Sequence, residues 1–597
     1  MWDRISTGAP SGREKPAART AGGFKGHLLV LFLYAALAAV FTYPLVLNLD
    51  RVNGTGDPAV MVWSMAWISH ALTTEPATLY AANILHPLPD ALAHTDLLLT
   101  SAILAAPFFL LTGNALLGFN VLMLLTYVFS GYATFLLLRR ILSGRPYATH
   151  AAIFAGALYA FCPYRLAHVA QLNTMTTYWL PLILLALHRY LEGGRRPRDL
   201  VLVAVFFSLN AASGLYYGAF AALMGALFFV LWSLIRREPP RARDFLYGIP
   251  IFGVAAALLA ALLWPYLSRS AETGHAWDIA NVAYYSFEPA ALLASPPQSL
   301  LLGWTPEALG ITPENGKPAY ELMLYPGLAA SLLAAYAILR RSASGTEALY
   351  AALGVAFFVL SWGPLTTFDG SVVSLPYRLL YDFAPGFGSL RVPARMWAVV
   401  MLCVAVLAAL GLRAILEGLG GRRALAVLGA ISLLAALEFA PALPLERYGD
   451  PGSPAPGPAY AYLAQNAGED DVVVEVPFAS PVDPFRETPR MYRSTLGFWR
   501  LVNGFASYMP REYWERRSTL NAFPDPRSLA EMRRLGVDYV VAHPQEYAED
   551  GVDGQKVARE ADRTPSLERV AGGGEEATLY RLSGQGEPAP APGEGLR

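Results

Sequence analysis

The run LLVLFLYAALAAVFTYPLVL, residues 28–47, carries no charged side chain over a length of about 20 residues, enough to span the hydrocarbon core of a bilayer. Comparable runs lie near 115–138, 150–163, 175–191, 199–212, 214–235, 246–267, 320–340, 346–362, 395–416 and 423–443. A segment in hydrocarbon must satisfy its own backbone donors and acceptors, and a single helix is the element that does so alone. The chain therefore reads as an α-helical polytopic membrane protein. Its composition agrees: 15% of its 597 residues are charged, against about 25% in soluble domains. Lys plus Arg (45) nearly balances Asp plus Glu (46), which argues against a nucleic-acid binder driven by a basic surface.

Charge sorts the connections. The stretches RRILSGR (139–145), GGRRPRD (193–199), IRREPPRARD (235–244), LRRSASG (339–345) and GGRR (420–423) are short and basic, which places them on the cytoplasmic side. The basic tail 1–26 falls there too, ahead of a first helix expected to be retained in the mature protein: the apolar run is longer than a signal-peptide core and no convincing small-x-small cleavage site follows. One apolar segment, LLLTSAILAAPFFLLTG (97–113), breaks the alternation. If it crossed, either the loop before it or RRILSGR would lie on the wrong side, so it is expected to be a juxtamembrane or re-entrant helix. About eleven crossings result, in a domain spanning 27–444 of a cytoplasmic (inner) membrane, with the membrane lipids as its solvent. Beyond it come a Pro/Gly linker (445–459) and a small extracytoplasmic α/β domain (460–583), with strands expected at 471–478 and 577–582 and a helix then a strand across 528–543. A disordered tail (584–597) completes the chain. Cys162 and Cys403 have apolar neighbours and no metal-ligand spacing, the pattern of buried inert thiols.

Chemistry concentrates at the outer rim. Asp57, in GTGDP, precedes an apolar Trp-rich run, and His94 and Asp96 form AHTD at the head of the non-crossing segment. Asp is a favoured N-cap and Pro suits the first helical position, so capping and chemistry are both open for Asp57, and capping is the stronger reading for Asp96. Arg165, His168 and Gln171 recur every three residues, which on one helical turn would put a cation, an imidazole and an amide on one face. Arg391 and Arg395 bracket a proline at the mouth of a later helix. Arginine suits bidentate phosphate recognition, though headgroup anchoring and snorkelling account for rim arginines as well. No Walker motif, dinucleotide fingerprint, HExxH or GxSxG in context is present. Intramembrane charge is sparse, Glu438 being the clearest case, and this weighs against an ion-coupled transporter.

A basic tail, one crossing, and an outer loop with an early Asp and a juxtamembrane helix resemble the GT-C superfamily of membrane glycosyltransferases. So do the segments TGNALLGFNVLMLLTYVFSGYATFLLLRRI (112–141), YAFCPYRLAH (159–168) and RVPAR (391–395). The resemblance covers the membrane domain and is one of architecture more than of a sharp motif. It implies an enzyme that transfers a sugar from a polyprenyl-phosphate donor to a glycan, lipid or protein acceptor of the cell envelope. Asp57 would be the general base or position the acceptor, with Asp96 as the second catalytic candidate. His94, Arg165, His168, Gln171, Arg391 and Arg395 would bind substrate, and no nucleotide or other cofactor is implied. Many members carry a second acidic residue in the second outer loop. Here none lies between 162 and 179, which argues against a divalent metal, since hard cations want several carboxylate oxygens. A flippase or transporter, and a non-catalytic assembly protein, are the alternatives.

Overall fold

A computed structural model describes residues 23–51, 56–169, 171–273, 276–340, 344–445, 457–507, 509–573 and 577–583. Most of the tail 1–26, most of the linker 445–459 and the whole tail 584–597 lie outside them. The helices open with α1 (Phe24–Phe41), α2 (Asp57–Thr74), α3 (Leu99–Thr112), α4 (Ala115–Ile141) and α5 (Ala148–Ala160). Each expected span coincides with a helix: α1, α4 and α5 are followed by Trp179–Glu192, Pro197–Ala211, Leu215–Arg236, Ala242–Leu262, Leu328–Leu339, Gly345–Ser361, Trp397–Leu419 and Gly421–Phe439. Among the described residues, five helices are long and apolar enough to cross a membrane by length and composition. The count of eleven crossings thus rests on the alternation of charged loops.

The helix Trp397–Leu419 is the axis of the bundle, buried along most of its length against Leu328–Leu339, Gly345–Ser361 and α5. Its crossing with Leu328–Leu339 is tight because residue 411 is glycine: a Cβ there would stand 2.1 Å from the Leu333 carbonyl oxygen. Small residues at such crossings let helix backbones approach. The span expected at 320–340 begins only at Leu328, because the chain turns at Gly327 with φ +89°, and residues Ala319–Leu322 form a separate 3-10 turn. The carboxylate of Glu438 accepts from the backbone N–H groups of Leu328 and Ala329, both at 3.2 Å. That contact explains a charge so close to the bilayer: it satisfies donors that the first turn of a helix leaves open.

The segment 97–113 forms α3, packed against α2 and α4. The apolar helix α2 is almost wholly buried without being a span, since α3 covers one side and the C-terminal domain another. Trp63 Nε1 donates to Asn83 Oδ1 (2.9 Å), and Asn83 Nδ2 donates to Ser494 Oγ and to the Trp499 carbonyl (3.0 and 3.1 Å). The strands are a hairpin, β1 (Leu365–Phe368) and β2 (Ser371–Ser374), and a five-stranded sheet built from β3 (Val472–Val476), β4 (Arg500–Leu501), β5 (Tyr539–Ala542), β6 (Leu567–Gly572) and β7 (Thr578–Leu582), in the order β4-β3-β5-β7-β6. β3 runs parallel to β4 and β5, and β7 runs antiparallel to β5 and β6. Backbone bonds tie residues 83–86 of the first outer loop to this edge: Leu501 N–H to the Asn83 carbonyl (2.9 Å), His86 N–H to Leu501 (3.0 Å) and Leu85 N–H to Asn503 (2.9 Å). Beyond the linker, Pro458–Asn466 is already helical, so the linker ends at least two residues earlier than its composition indicates.

Candidate active site

Asp57 does not cap α2. The N-cap is Gly56, whose φ of +77° suits a residue without a Cβ, and Asp57 is the first helical residue with Pro58 behind it. The positive end of the helix favours a carboxylate in that first turn, and Asp57 Oδ2 accepts a hydrogen bond from Gln171 Nε2 (3.3 Å). Asp96 does not cap α3 either: the N-cap there is Leu98, with no side-chain bond, and Asp96 Oδ2 accepts from Asn173 Nδ2 (2.7 Å). Burial raises the Asp96 carboxyl above the usual carboxylate range, Arg395 opposes the shift and Asp57 adds to it. Asp57 and Asp96 are thus each held by an amide of the 162–179 connection rather than by a helix end.

That second loop does not make one continuous face. The helix Pro163–Ala167 stops at His168, and Gln171 is the N-cap of a second short helix, Leu172–Met175. Arg165 therefore turns inward. It is 2% exposed and donates to the Ala160 and Met175 carbonyls and to Thr177 and Thr126 hydroxyls, which makes it a clamp inside the fold. His168 Nδ1 donates to the Tyr164 carbonyl (2.7 Å), and Nε2 faces Glu321 Oε2 (3.2 Å).

Glu321 is the residue that sequence reading passed over. It heads the apolar run 320–340 and was absorbed into the expected span, although a lone carboxylate before Pro and Gly at the rim was a usable signal. It is buried, with Arg395 Nε at 3.0 Å and Nη2 at 2.6 Å from Oε1. Burial alone would push its carboxyl up, but Arg395 and His168 outweigh that and hold it well below the usual range. Arg395 Nη2 also donates to Gln171 Oε1 (3.4 Å). A continuous chain of contacts therefore runs His168–Glu321–Arg395–Gln171–Asp57.

Arg391 is placed differently. Its guanidinium carbon lies 4.8 Å from the Trp277 ring centre and 4.6 Å from that of Tyr285, and its backbone N–H donates to the Tyr216 hydroxyl (2.8 Å). No carboxylate pairs with it among the described residues. The aromatic stretch 268–319 thus supplies the rings that hold this cation.

A cavity of about 550 Å³ gathers Asp57, His94, Asp96, Gln171, Arg391 and Arg395 on its wall, whereas Arg165 and His168 are not on it. Its remaining wall includes Tyr216, Trp277 and, from the C-terminal domain, Phe485 and Phe505. Among the described residues no three His, Cys, Asp or Glu side chains are grouped as a metal ion would require, and Glu321 is taken by Arg395. The donor set of a divalent-metal site is therefore not met by these residues.

A similar overall fold is found in solved structures. The AftD arabinofuranosyltransferase from Mycobacteria matches over 95% of this chain and 42% of its own, with a TM-score of 0.56 and 15% identity. The Archaeoglobus fulgidus oligosaccharyltransferase tethered to an acceptor peptide matches over 94% of this chain and 74% of its own, with a TM-score of 0.51 and 13% identity. This is the GT-C fold. The chain spans less than half the length of the arabinofuranosyltransferase it matches, and no family model and no curated protein sequence matches it. The segments that line the cavity with Asp57 include residues 93–98, 171–173 and 386–395 and, from the C-terminal domain, Phe485 and Phe505.

Proposed function

We propose that the chain is a membrane glycosyltransferase that moves a sugar from a polyprenyl-phosphate donor to an acceptor, on the membrane face that carries the α/β domain. The observation that carries this reading is one cavity wall shared by a carboxylate, Asp57, and a ring-stacked arginine, Arg391, that has no carboxylate partner among the described residues. The fold shared with an arabinofuranosyltransferase and an oligosaccharyltransferase supports it.

In this mechanism the acceptor hydroxyl attacks the anomeric carbon in a single inverting displacement. Its proton passes to Asp57. The bond from the anomeric carbon to the phosphate oxygen breaks, its electron pair stays with the polyprenyl phosphate, and Arg391 stabilises the charge that develops there. Arg395, already neutralised by Glu321, keeps Gln171 aimed at Asp57. His94 and Asp96 orient the sugar. Asp96 is also the second candidate base, because a carboxyl raised by burial is a better proton acceptor than an ordinary one.

The direct test is incubation of the purified protein with labelled polyprenyl-phosphate sugars and measurement of released carrier phosphate. Release that depends on an added acceptor is the expected result. No release from any of a panel of such donors would remove the transferase reading.

A further inference from the structure

Asp57 faces two cavities. Besides the first, it lines a second of about 860 Å³, which shares Asp57, Gln171 and Phe485 with the first and adds Gln298, Tyr320 and Asp483. Phe485 belongs to both walls: its ring lies 3.4 Å from where a Cβ on Gly56 would be, and it packs on Phe505 with ring centres 4.8 Å apart. The two walls differ in their cations. The first cavity sets Arg391, Arg395 and His94 beside its two carboxylates, Asp57 and Asp96. The second has two carboxylates, Asp57 and Asp483, and among the described residues neither Lys, Arg nor His on its wall.

We infer that the second cavity admits the acceptor and that its carboxylates restrict the acceptor to uncharged or cationic hydroxyl-bearing molecules, of which a neutral glycan is the type, and turn away phosphorylated ones. The inference rests on the reading of Asp57 as the base. A base shared by two openings can take a proton from a group arriving through one while the leaving phosphate sits in the other. An anionic acceptor in the second cavity would meet like charge from Asp57 and Asp483, and like charges placed together disfavour a partner. It would also be drawn to Arg391, in competition with the donor. Asp483, contributed by the C-terminal domain, is on this account a residue that selects the acceptor.

The full-length protein in zwitterionic nanodiscs is to be photolabelled with a diazirine derivative of octyl glucoside and with its 6-phosphate, and the labelled peptides mapped. The neutral probe is expected to label 297–298, 320 and 483–485 about tenfold more than the phosphate does, a ratio equal to about 1.4 kcal/mol, and the phosphate to label 391–395. Asp483→Arg should raise labelling of the second cavity by the phosphate about tenfold and leave the neutral probe unchanged. Equal labelling of that cavity by both probes, no labelling by either, or no response to Asp483→Arg overturns the inference. Carrier release is measured in parallel. Its absence in the unaltered protein counts against the transferase reading, while the labelling pattern judges the charge selection separately.

Discussion

Arg391 and Arg395 sit four residues apart, yet the second is a buried ion-pair partner and the first has no carboxylate partner among the described residues. Arg395 is closed against Glu321 at 2.6 Å, whereas Arg391 lies between the Trp277 and Tyr285 rings with its guanidinium on the cavity wall. Their substitutions should therefore fail in different ways. Arg391→Lys keeps the charge and loses the planar fork, so donor use should weaken by roughly 1.5–3 kcal/mol, with an unchanged melting curve. Arg395→Ala leaves Glu321 buried beside His168 alone, a loss of about 3–5 kcal/mol in stability. Donor titrations and thermal melts of the two variants check both expectations. Arg391→Lys with wild-type donor affinity would reduce Arg391 to an anchor.

Asp57→Asn isolates proton transfer. Since Gly56 is the cap and the Asn carbonyl can still accept from Gln171, stability should be nearly unchanged. An amide cannot serve as a base, so transfer should fall by about 10²–10⁴. Turnover with a lipid-linked donor, beside a melting curve, is the measurement. Near-normal transfer would move the base to Asp96.

Asp96 and Glu321 should leave opposite marks on stability against pH. The Asp96 carboxyl is raised in the fold, so its contribution is fully present below its unfolded value and is lost as pH rises through the folded one. Asp96→Asn keeps the acceptor for Asn173 and should raise the melting temperature at neutral pH, with the gain shrinking in acid. The Glu321 carboxyl is depressed, so its contribution is present above the ordinary glutamate range and is lost only in strong acid. Glu321→Gln should accordingly cost stability throughout the neutral range. Melts of both variants across pH 4–8, a window of roughly two units on each side of pH 6, separate the two signs.

The charge alternation predicts which loops share a side. Cys162 and Cys403 are buried, so single cysteines introduced at the exposed positions Ser143, Arg196, Asn466 and Arg563 can be read against a low background. In intact cells an impermeant thiol reagent should label the last two and spare the first two. The reverse pattern would put Asp57 on the cytoplasmic side, against the proposed donor.

What the sequence disclosed was local and compositional. The helices at the apolar runs, the core of the parallel strands, and the polar residues at the rim were legible because hydropathy period and loop charge report them directly. Three-residue spacing misled at Arg165, His168 and Gln171, because it assumes one unbroken helix and the chain breaks at His168. Glu321 was hidden inside a hydropathy run whose true start is set by the backbone at Gly327. The roles of Trp277, Phe485 and Phe505 depend on docking between distant segments, for which a single sequence carries no periodic signal.

The hydrogen bond from Gly56 N–H to Thr488 Oγ1, 3.2 Å long, joins positions 432 residues apart. Synthesis proceeds from the N-terminus, so Asp57 is made long before Asp483, Phe485 and Phe505 of the C-terminal domain. A chain that stops short of that domain lacks both the shared ring of Phe485 and the carboxylate of Asp483. On the proposed reading, sorting a donor from an acceptor therefore waits until residues 483–505 have been made and docked against α2.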